Sequence, residues 1–301
     1  MTLAEKLASL EDMVAPGTTA CQGCNAELTL RTAFQVLGPN TIVALPPGCM
    51  GGSQTVGWAD TTGMKIPVFF PLLDNAASML SGIKRYYDRI GRDVNVVAFA
   101  GDGATVDAGF QALSGAAERG ENIIYICYDN EGYMNTGFQR SSSTSKGAWT
   151  STTPVGTERK GKMSHKKDMP SIMASHDIPY VATASPAYIQ DFVNKLEKAK
   201  KVKNGMAYIH VYTSCATGWG YDSDKSIDVV RKGVQSRFTP IYEVENGKYK
   251  LNIDVKNPIP LRDYLFTMKK YAHISDEQVA ELQEFVDKKW DKLKTLCEMN
   301  K

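Results

Sequence analysis

Four short β-branched runs punctuate the chain, at residues 41–45 (TIVAL), 94–100 (VNVVAFA), 122–129 (NIIYICYD) and 207–213 (AYIHVYT), and each suits a buried strand. Between the second and third, Val106, Phe110, Leu113 and Ala117 step by four, three and four, which predicts a helix with one apolar face. Residues 28–37, 75–90 and 186–201 also read as helices. Strand, helix, strand in this rhythm predicts an α/β fold, a mostly parallel sheet sandwiched by helices. Ligands of such sheets bind at the carboxyl ends of the strands. Two stretches break the pattern. Residues 137–168 form a long polar segment without period, which in a folded domain is usually functional or disordered. Beyond about Lys225 the alternation fades into a predicted turn at 245–247, a Pro258/Pro260 segment and a charged helix from about Ser275. The chain therefore divides into an α/β domain, 1–228, and a C-terminal arm or tail, 229–301. No internal repeat is present.

Composition changes this picture little. Of 301 residues, 43% are hydrophobic and 23% charged, ordinary for a chain with a real core. A net charge of +2 gives no reason to expect nucleic acid. No apolar run is long enough for a membrane-spanning helix, and the acid-bearing N-terminus lacks the features of a signal peptide. A cytoplasmic location is the default expectation. Disulfides are rare there, so six cysteines require another explanation, as metal ligands or as core residues.

Gly101-Asp102-Gly103 closes a predicted strand and opens a helix. Its glycines allow close backbone approach, the helix start offers N–H groups to an anion, and Asp102 adds a hard oxygen. A magnesium-bridged diphosphate fits that combination, although the tripeptide alone is also a common turn. Twenty-eight residues after Asp102, at the end of the next strand, comes Asn130 in Asp129-Asn130-Glu131-Gly132-Tyr133-Met134-Asn135. This spacing resembles the thiamine diphosphate motif. The resemblance implies that Asp102, the Asn130 side chain and the Gly132 carbonyl hold Mg²⁺. The motif often carries a second Asn where this chain has Asp129.

Cys21 and Cys24 form a C-x-x-C ahead of a helix, Cys49 follows a strand in PPGCMGG, and Cys215 follows the last predicted strand in TSCATGWG. Four cysteines suit zinc or a [4Fe–4S] cluster, and the spacing leaves both open. Two remote single ligands are awkward for a zinc ribbon, whereas a cluster tolerates a distant cysteine.

Taken together, the C-x-x-C, the GC-small-G, the GDG followed by DNE-x-Y-x-NTG, and the late Cys before TGW resemble the beta subunit of 2-oxoacid:ferredoxin oxidoreductases, the pyruvate enzymes most closely. The resemblance runs from about residue 16 to about 240. It implies that Cys21, Cys24, Cys49 and Cys215 ligate a [4Fe–4S] cluster, Cys49 also lying at the cofactor, and that Asn135 lies beside the cofactor's reactive ring as a catalytic residue. Ala216 replaces the proline usual in the late motif. The resemblance further implies thiamine diphosphate-dependent oxidative decarboxylation of a 2-oxoacid, with pyruvate, coenzyme A and acetyl-CoA the leading version and oxalate or 2-oxoisovalerate alternatives. Implied partners are an alpha subunit carrying the aminopyrimidine-binding domain, a gamma subunit, a ferredoxin-like delta subunit and external ferredoxin. Two other readings stay open: a non-redox thiamine diphosphate enzyme with structural zinc, and a non-catalytic metal-binding module with an incidental GDG turn.

The remaining chemistry-bearing residues read as structural. Cys127 sits inside a strand as a small hydrophobe, and Cys297 in the last helix. His165, His176, His210 and His273 show no metal or catalytic spacing. Arg140, Lys146, Arg159, Lys160, Lys162, Lys166 and Lys167 give the 137–168 segment a basic character that suits a partner face. The PLLDNA segment, 71–76, is a candidate lining of the substrate site.

Overall fold

A computed structural model describes residues 2–55 and 63–299. Its centre is an eight-stranded sheet in the order β2-β1-β3-β4-β6-β5-β7-β8. The strands are β1 (Thr41–Ala44), β2 (Val68–Phe69), β3 (Asn95–Gly101), β4 (Ile124–Asp129), β5 (Tyr180–Ala184), β6 (Ala207–Tyr212), β7 (Tyr242–Glu245) and β8 (Lys248–Leu251). The first six in that order run parallel, and β7 and β8 add antiparallel pairings at one edge.

Strand periodicity accounts for the two cores. Val97 and Phe99 of β3 and Ile124, Ile126 and Tyr128 of β4 point to one face. Their neighbours Val96, Ala98, Ala100, Tyr125 and Cys127 point to the other. The first face is covered by α2 (Asn25–Leu37) and α7 (Ile189–Lys201), through Leu30, Phe34 and Leu37 and through Phe192, Val193 and Leu196. Each such side chain contributes about 1.5–3 kcal/mol by leaving water. The second face is covered by α4 (Ala76–Arg89), α5 (Phe110–Glu118) and α6 (Met169–Ala174), through Leu80, Leu113 and Met173. Among the described residues no helix is long and apolar enough to cross a membrane.

The segment expected to be an arm adds two strands to the sheet. Asn246 and Gly247, at φ 50° and 78°, make the left-handed pair of a two-residue hairpin, and β7 and β8 extend the sheet beyond β5. After α9 (Ser226–Gln235) and α10 (Leu261–Leu265), helix α11 (Asp276–Glu298) is started by a Ser275–Gln278 capping box. It packs on β8, and its Leu293 joins the core on the second face. Tyr264, Tyr271, Leu282 and Val286 build a third apolar cluster together with Phe138 and Trp219. Residue 228, the expected boundary, falls inside α9.

The helix expected after the GDG segment is present in altered form. Residues Gly103–Ala108 are π-helical, with the Gly109 N–H donating to Ala104 O, five residues back, at 3.0 Å. Such stretches are rare and frequent at functional sites.

Candidate functional site

Strands β1, β3, β4 and β6 are successive neighbours, so their carboxyl ends form one row. That row delivers Cys49 at the start of α3 (Cys49–Thr55), then Asp102, then Asn130, then Cys215. A register this local brings residues far apart in sequence to a common edge.

At its middle three oxygens converge. The Asn130 amide oxygen lies 3.1 Å from Asp102 Oδ1 and 3.0 Å from the Gly132 carbonyl oxygen. Three acceptors at such distances repel, unless the amide turns over and its nitrogen donates to both, or a cation lies between them. Adjacent oxygens on an octahedral Mg²⁺ at about 2.1 Å stand about 3.0 Å apart. The two distances from the Asn130 side chain are thus compatible with either a turned amide or a shared cation. Asp102 is fully buried, and Ser141 Oγ donates to its Oδ2. Burial, and then the charge of Asp129, push its carboxyl well above the usual carboxylate range against that hydrogen bond. The glycines serve packing: a Cβ at Gly103 would come within 2.4 Å of the Tyr133 ring, and one at Gly101 within 3.2 Å of Tyr128.

The loop after β4 turns at Glu131, which has φ 64°. A left-handed conformation costs a non-glycine residue roughly 1–2 kcal/mol. The loop holds it with several bonds. The Glu131 N–H donates to Asp129 Oδ1 at 2.9 Å, and Thr144 Oγ1 donates to the Glu131 carbonyl at 2.7 Å. The carboxylate accepts from Lys270 Nζ at 2.6 Å and Ser145 Oγ at 2.7 Å, with Lys166 Nζ at 3.6 Å. Burial works to raise the Glu131 carboxyl, but the charges of Lys270 and Lys166 hold it below the usual range.

Asp129, where the motif often has Asn, has its own partner. His210 Nε2 lies 2.9 Å from Asp129 Oδ2, and His210 Nδ1 lies 2.8 Å from the Tyr208 hydroxyl. Burial opposes ionisation of Asp129; the His210 hydrogen bond and charge outweigh it and hold the carboxyl below its ordinary value. His210, read from sequence as a structural strand residue, is thus a buried support of the loop after β4.

The 137–168 segment packs onto this site. Ser141, Ser143, Thr144 and Ser145 are buried, and Ser142 N–H donates to Asp107 at 2.9 Å. Lys162 is buried and donates to the carbonyls of Thr144 and, at 3.3 Å, Ser142. Its basic residues divide accordingly: Lys162, Lys166 and Lys167 turn inward, while Arg140, Arg159 and Lys160 are exposed.

Four cysteines line the adjoining cavity of ≈ 350 Å³, together with Asn130 and Asn135. Cys24 caps the start of α2, Cys49 opens α3, and Cys215 caps α8 (Ala216–Trp219), its Sγ accepting from the Gly218 N–H at 3.3 Å. Cys21 is exposed at the mouth and joined to Cys24 by a backbone bond of 3.1 Å. Gly23 between them has φ 69° and no room for a Cβ, which would lie 2.3 Å from the Ser223 carbonyl. Burial raises the Cys24 thiol to about 11, with Cys215 contributing. Burial, and then the charges of Cys215, Cys24 and Cys21, raise Cys49 to about 12. Such mutual repulsion is what a bound cationic centre would relieve. Among the described residues no three His, Cys, Asp or Glu are close enough to hold one metal ion, so the thiols surround the cavity instead of meeting at a point. Asn135 is exposed, its amide 3.9 Å from where a Cβ of Gly52 would be. Cys127 is buried in β4, and Cys297 is half-buried in α11.

Sequence reasoning missed Ser141, Glu131, Lys270, Trp219 and His210. The run of five small hydroxyl residues, 141–145, was the visible signal for the first.

Comparison with known proteins identifies the domain and its relatives. Residues 48–211 match the thiamine pyrophosphate enzyme, C-terminal TPP binding domain. The chain is 48% identical over 278 residues to pyruvate synthase subunit PorB of Methanothermobacter thermautotrophicus, covering 92% of this chain and 96% of the relative. It is 42% identical to ketoisovalerate oxidoreductase subunit VorB of Pyrococcus horikoshii, covering 94% and 93%. It is also 50% identical, over 92% of its own length, to the beta subunit of NADH-dependent phenylglyoxylate dehydrogenase of Aromatoleum evansii, but spans only 62% of that protein. A solved 2-oxoglutarate:ferredoxin oxidoreductase from Magnetococcus marinus shares the fold, with a TM-score of 0.58 and 22% identity over 70% of this chain and 68% of that one. By its thiamine pyrophosphate domain and these near full-length relatives, the chain belongs to the family of beta subunits of 2-oxoacid:ferredoxin oxidoreductases.

Proposed function

We propose that this chain binds thiamine diphosphate through Mg²⁺ held by Asp102, Asn130 and the Gly132 carbonyl, and carries a [4Fe–4S] cluster on Cys21, Cys24, Cys49 and Cys215. In a cytoplasmic hetero-oligomer it serves the oxidative decarboxylation of a 2-oxoacid, pyruvate foremost, with coenzyme A taking the acyl group and ferredoxin the electrons. The observation that carries the reading is the Asn130 amide oxygen, 3.1 Å from Asp102 Oδ1 and 3.0 Å from the Gly132 carbonyl oxygen, in a residue that lines a cavity together with four cysteines.

When bound, thiamine diphosphate stabilises the carbanion that a decarboxylation generates, and a low-potential cluster accepts single electrons. The chain's own residues bind and orient. Asp102 supplies the one formal negative charge of the oxygen triad, and Ser141 fixes its carboxylate plane. His210 keeps Asp129 ionised and hydrogen-bonded, so the turn that presents Asn130 and Gly132 stays closed. Asn135 stands at the open side of the cavity, where a substrate or the reactive ring would enter. The aminopyrimidine half of the site is assigned to an alpha subunit, with gamma and ferredoxin-like delta subunits completing the assembly.

The relatives favour a second reading for substrate alone. Identity to the phenylglyoxylate dehydrogenase subunit, 50%, is as high as that to pyruvate synthase, 48%, so an aromatic or branched 2-oxoacid competes with pyruvate. The test is the anaerobically purified complex, assayed for iron and acid-labile sulfide and for turnover on a panel of 2-oxoacids with and without coenzyme A. Zinc in place of iron, or turnover without any electron acceptor, would refute the redox assignment.

A further inference from the structure

Lys270 lies in the C-terminal third, far from every motif, yet it is 2% exposed and its Nζ reaches Glu131 Oε2 at 2.6 Å. The same Nζ lies 3.3 Å from the centre of the Trp219 ring. Trp219 faces two ways. Its Nε1 donates to the Asn130 carbonyl at 2.9 Å, and its backbone N–H donates to the Cys215 carbonyl at 2.8 Å. One ring therefore touches the loop of Asn130 and Gly132 and belongs to the helical turn that Cys215 begins. The lysine is fixed from both sides: Trp149 N–H donates to its carbonyl at 2.9 Å, and Lys269 N–H donates to the Gly220 carbonyl at 3.2 Å. A charge stacked on an aromatic face and paired with a buried carboxylate holds both in defined places.

We propose that Lys270 and Trp219 are positioning residues that hold the magnesium-ligand loop and the Cys215 loop in one fixed relation, so that cofactor binding and the cluster respond together. This rests on the function proposed above. The geometry makes the coupling specific. Glu131 sits between Asn130 and Gly132, so releasing its side chain from Lys270 frees the left-handed turn that aims the Gly132 carbonyl. Releasing the lysine also uncovers the Trp219 ring, whose hydrogen bond to the Asn130 carbonyl spans the two loops.

The experiment uses the anaerobically purified hetero-oligomer with wild-type chain, Lys270→Met, Lys270→Arg and Trp219→Phe. Two signals are read on each, the calorimetric affinity for thiamine diphosphate with Mg²⁺ and the electron paramagnetic resonance spectrum of the reduced cluster. Lys270→Met is expected to weaken affinity by about tenfold or more, the scale of a lost hydrogen bond to a charged group, and to shift the cluster's g values. Lys270→Arg should recover most of both, because a guanidinium also pairs with a carboxylate and stacks on indole. Trp219→Phe keeps the ring but removes the bond to Asn130, and should fall between. Affinity within about twofold of wild type in Lys270→Met, or a change at one site with the other untouched, overturns the proposal. If Lys270→Met fails to assemble, unchanged signals in both Lys270→Arg and Trp219→Phe overturn it, and a joint shift in Trp219→Phe supports it. Failure of the wild type to bind thiamine diphosphate with Mg²⁺, or to show a cluster, sinks the underlying function and this inference with it, and is seen in the wild type alone.

Discussion

Replacing Asp102 by Asn removes one charge without removing volume, and separates a metal ligand from a turn residue. The carboxylate is fully buried, with Ser141 donating to one oxygen and the other 3.1 Å from the Asn130 amide oxygen. An amide oxygen can still accept from Ser141, so no cavity forms and that hydrogen bond survives. What is lost is the attraction between a buried carboxylate and a divalent cation. Removing one partner of a buried charge pair costs about 3–5 kcal/mol, which at about 1.4 kcal/mol per tenfold is two to nearly four decades of affinity. The cation-free protein should respond in the opposite sense. There the carboxyl is held well above its ordinary range by burial and by Asp129, so neutralising it relieves repulsion, and the melting temperature should hold or rise. The assay is calorimetric titration of thiamine diphosphate with Mg²⁺ into the complex, beside thermal unfolding without either. Affinity within a few-fold of wild type would refute the argument and reduce Asp102 to a turn residue. A fall in cation-free stability would refute the electrostatic half alone.

Three further outcomes follow from other parts of the structure. Cys24→Ala or Cys215→Ala should abolish the visible absorbance of the cluster, whereas Cys127→Ala, buried in β4 away from the cavity, should leave it intact; equal loss in all three would overturn the ligand assignment. Phe34→Ala, opposite Phe99 at 6.0 Å between ring centres, should cost about 3–5 kcal/mol in denaturant unfolding, and a cost near zero would mean that α2 is not packed on the sheet as described. Glu243 accepts from Tyr180 at 2.9 Å and pairs with Lys198 at 3.0 Å; burial opposes its ionisation, but these partners hold the carboxyl below its usual range. A depressed carboxyl contributes stability that is present above the unfolded-state value and lost as pH falls through the folded one, so Glu243→Gln should cost about 1–2 kcal/mol at neutral pH and converge with wild type in acid. A difference independent of pH would show that the charge is not what stabilises.

What could be read from the sequence followed from how local each signal is. The four strands rich in β-branched residues were legible, and so was the helix face of Val106, Phe110, Leu113 and Ala117, although its first turns are π-helical. Strand β5, Tyr180-Val-Ala-Thr-Ala, was not, because its small residues carry little hydrophobic signal even though every one is buried. Strand β8 alternates exposed and half-buried positions at the sheet edge, and β7 is only four residues long, so neither stands out as a strand in the sequence. The approach of Asn130 to Asp102 was legible because a fixed spacing carries it. The groups packed around the pair were not. Ser141 lies 39 residues from Asp102, Lys270 139 residues from Glu131, and His210 81 residues from Asp129. No periodicity or motif encodes such contacts; they exist only once the sheet has set its strand order.

The price of this arrangement shows in the loop itself. Asp102, Asp129 and Glu131 are all buried, and Glu131 is in a conformation that non-glycine residues avoid. A core optimised for stability alone would not place three acids there, since each buried charge needs its own compensation. Here the compensation is uneven. Asp129 has His210, and Glu131 has Lys270 with Lys166 nearby, and these partners hold both carboxyls below their usual range against burial. Asp102 has only hydrogen bonds, and burial, then the neighbouring acids, push its carboxyl upward. The two acids that shape the loop have side-chain partners at their carboxylates, while Asp102, beside the Asn130 amide, has no cationic partner among the described residues. Such an uneven arrangement is what the proposed Mg²⁺ would complete, by bringing positive charge to the one acid that lacks it.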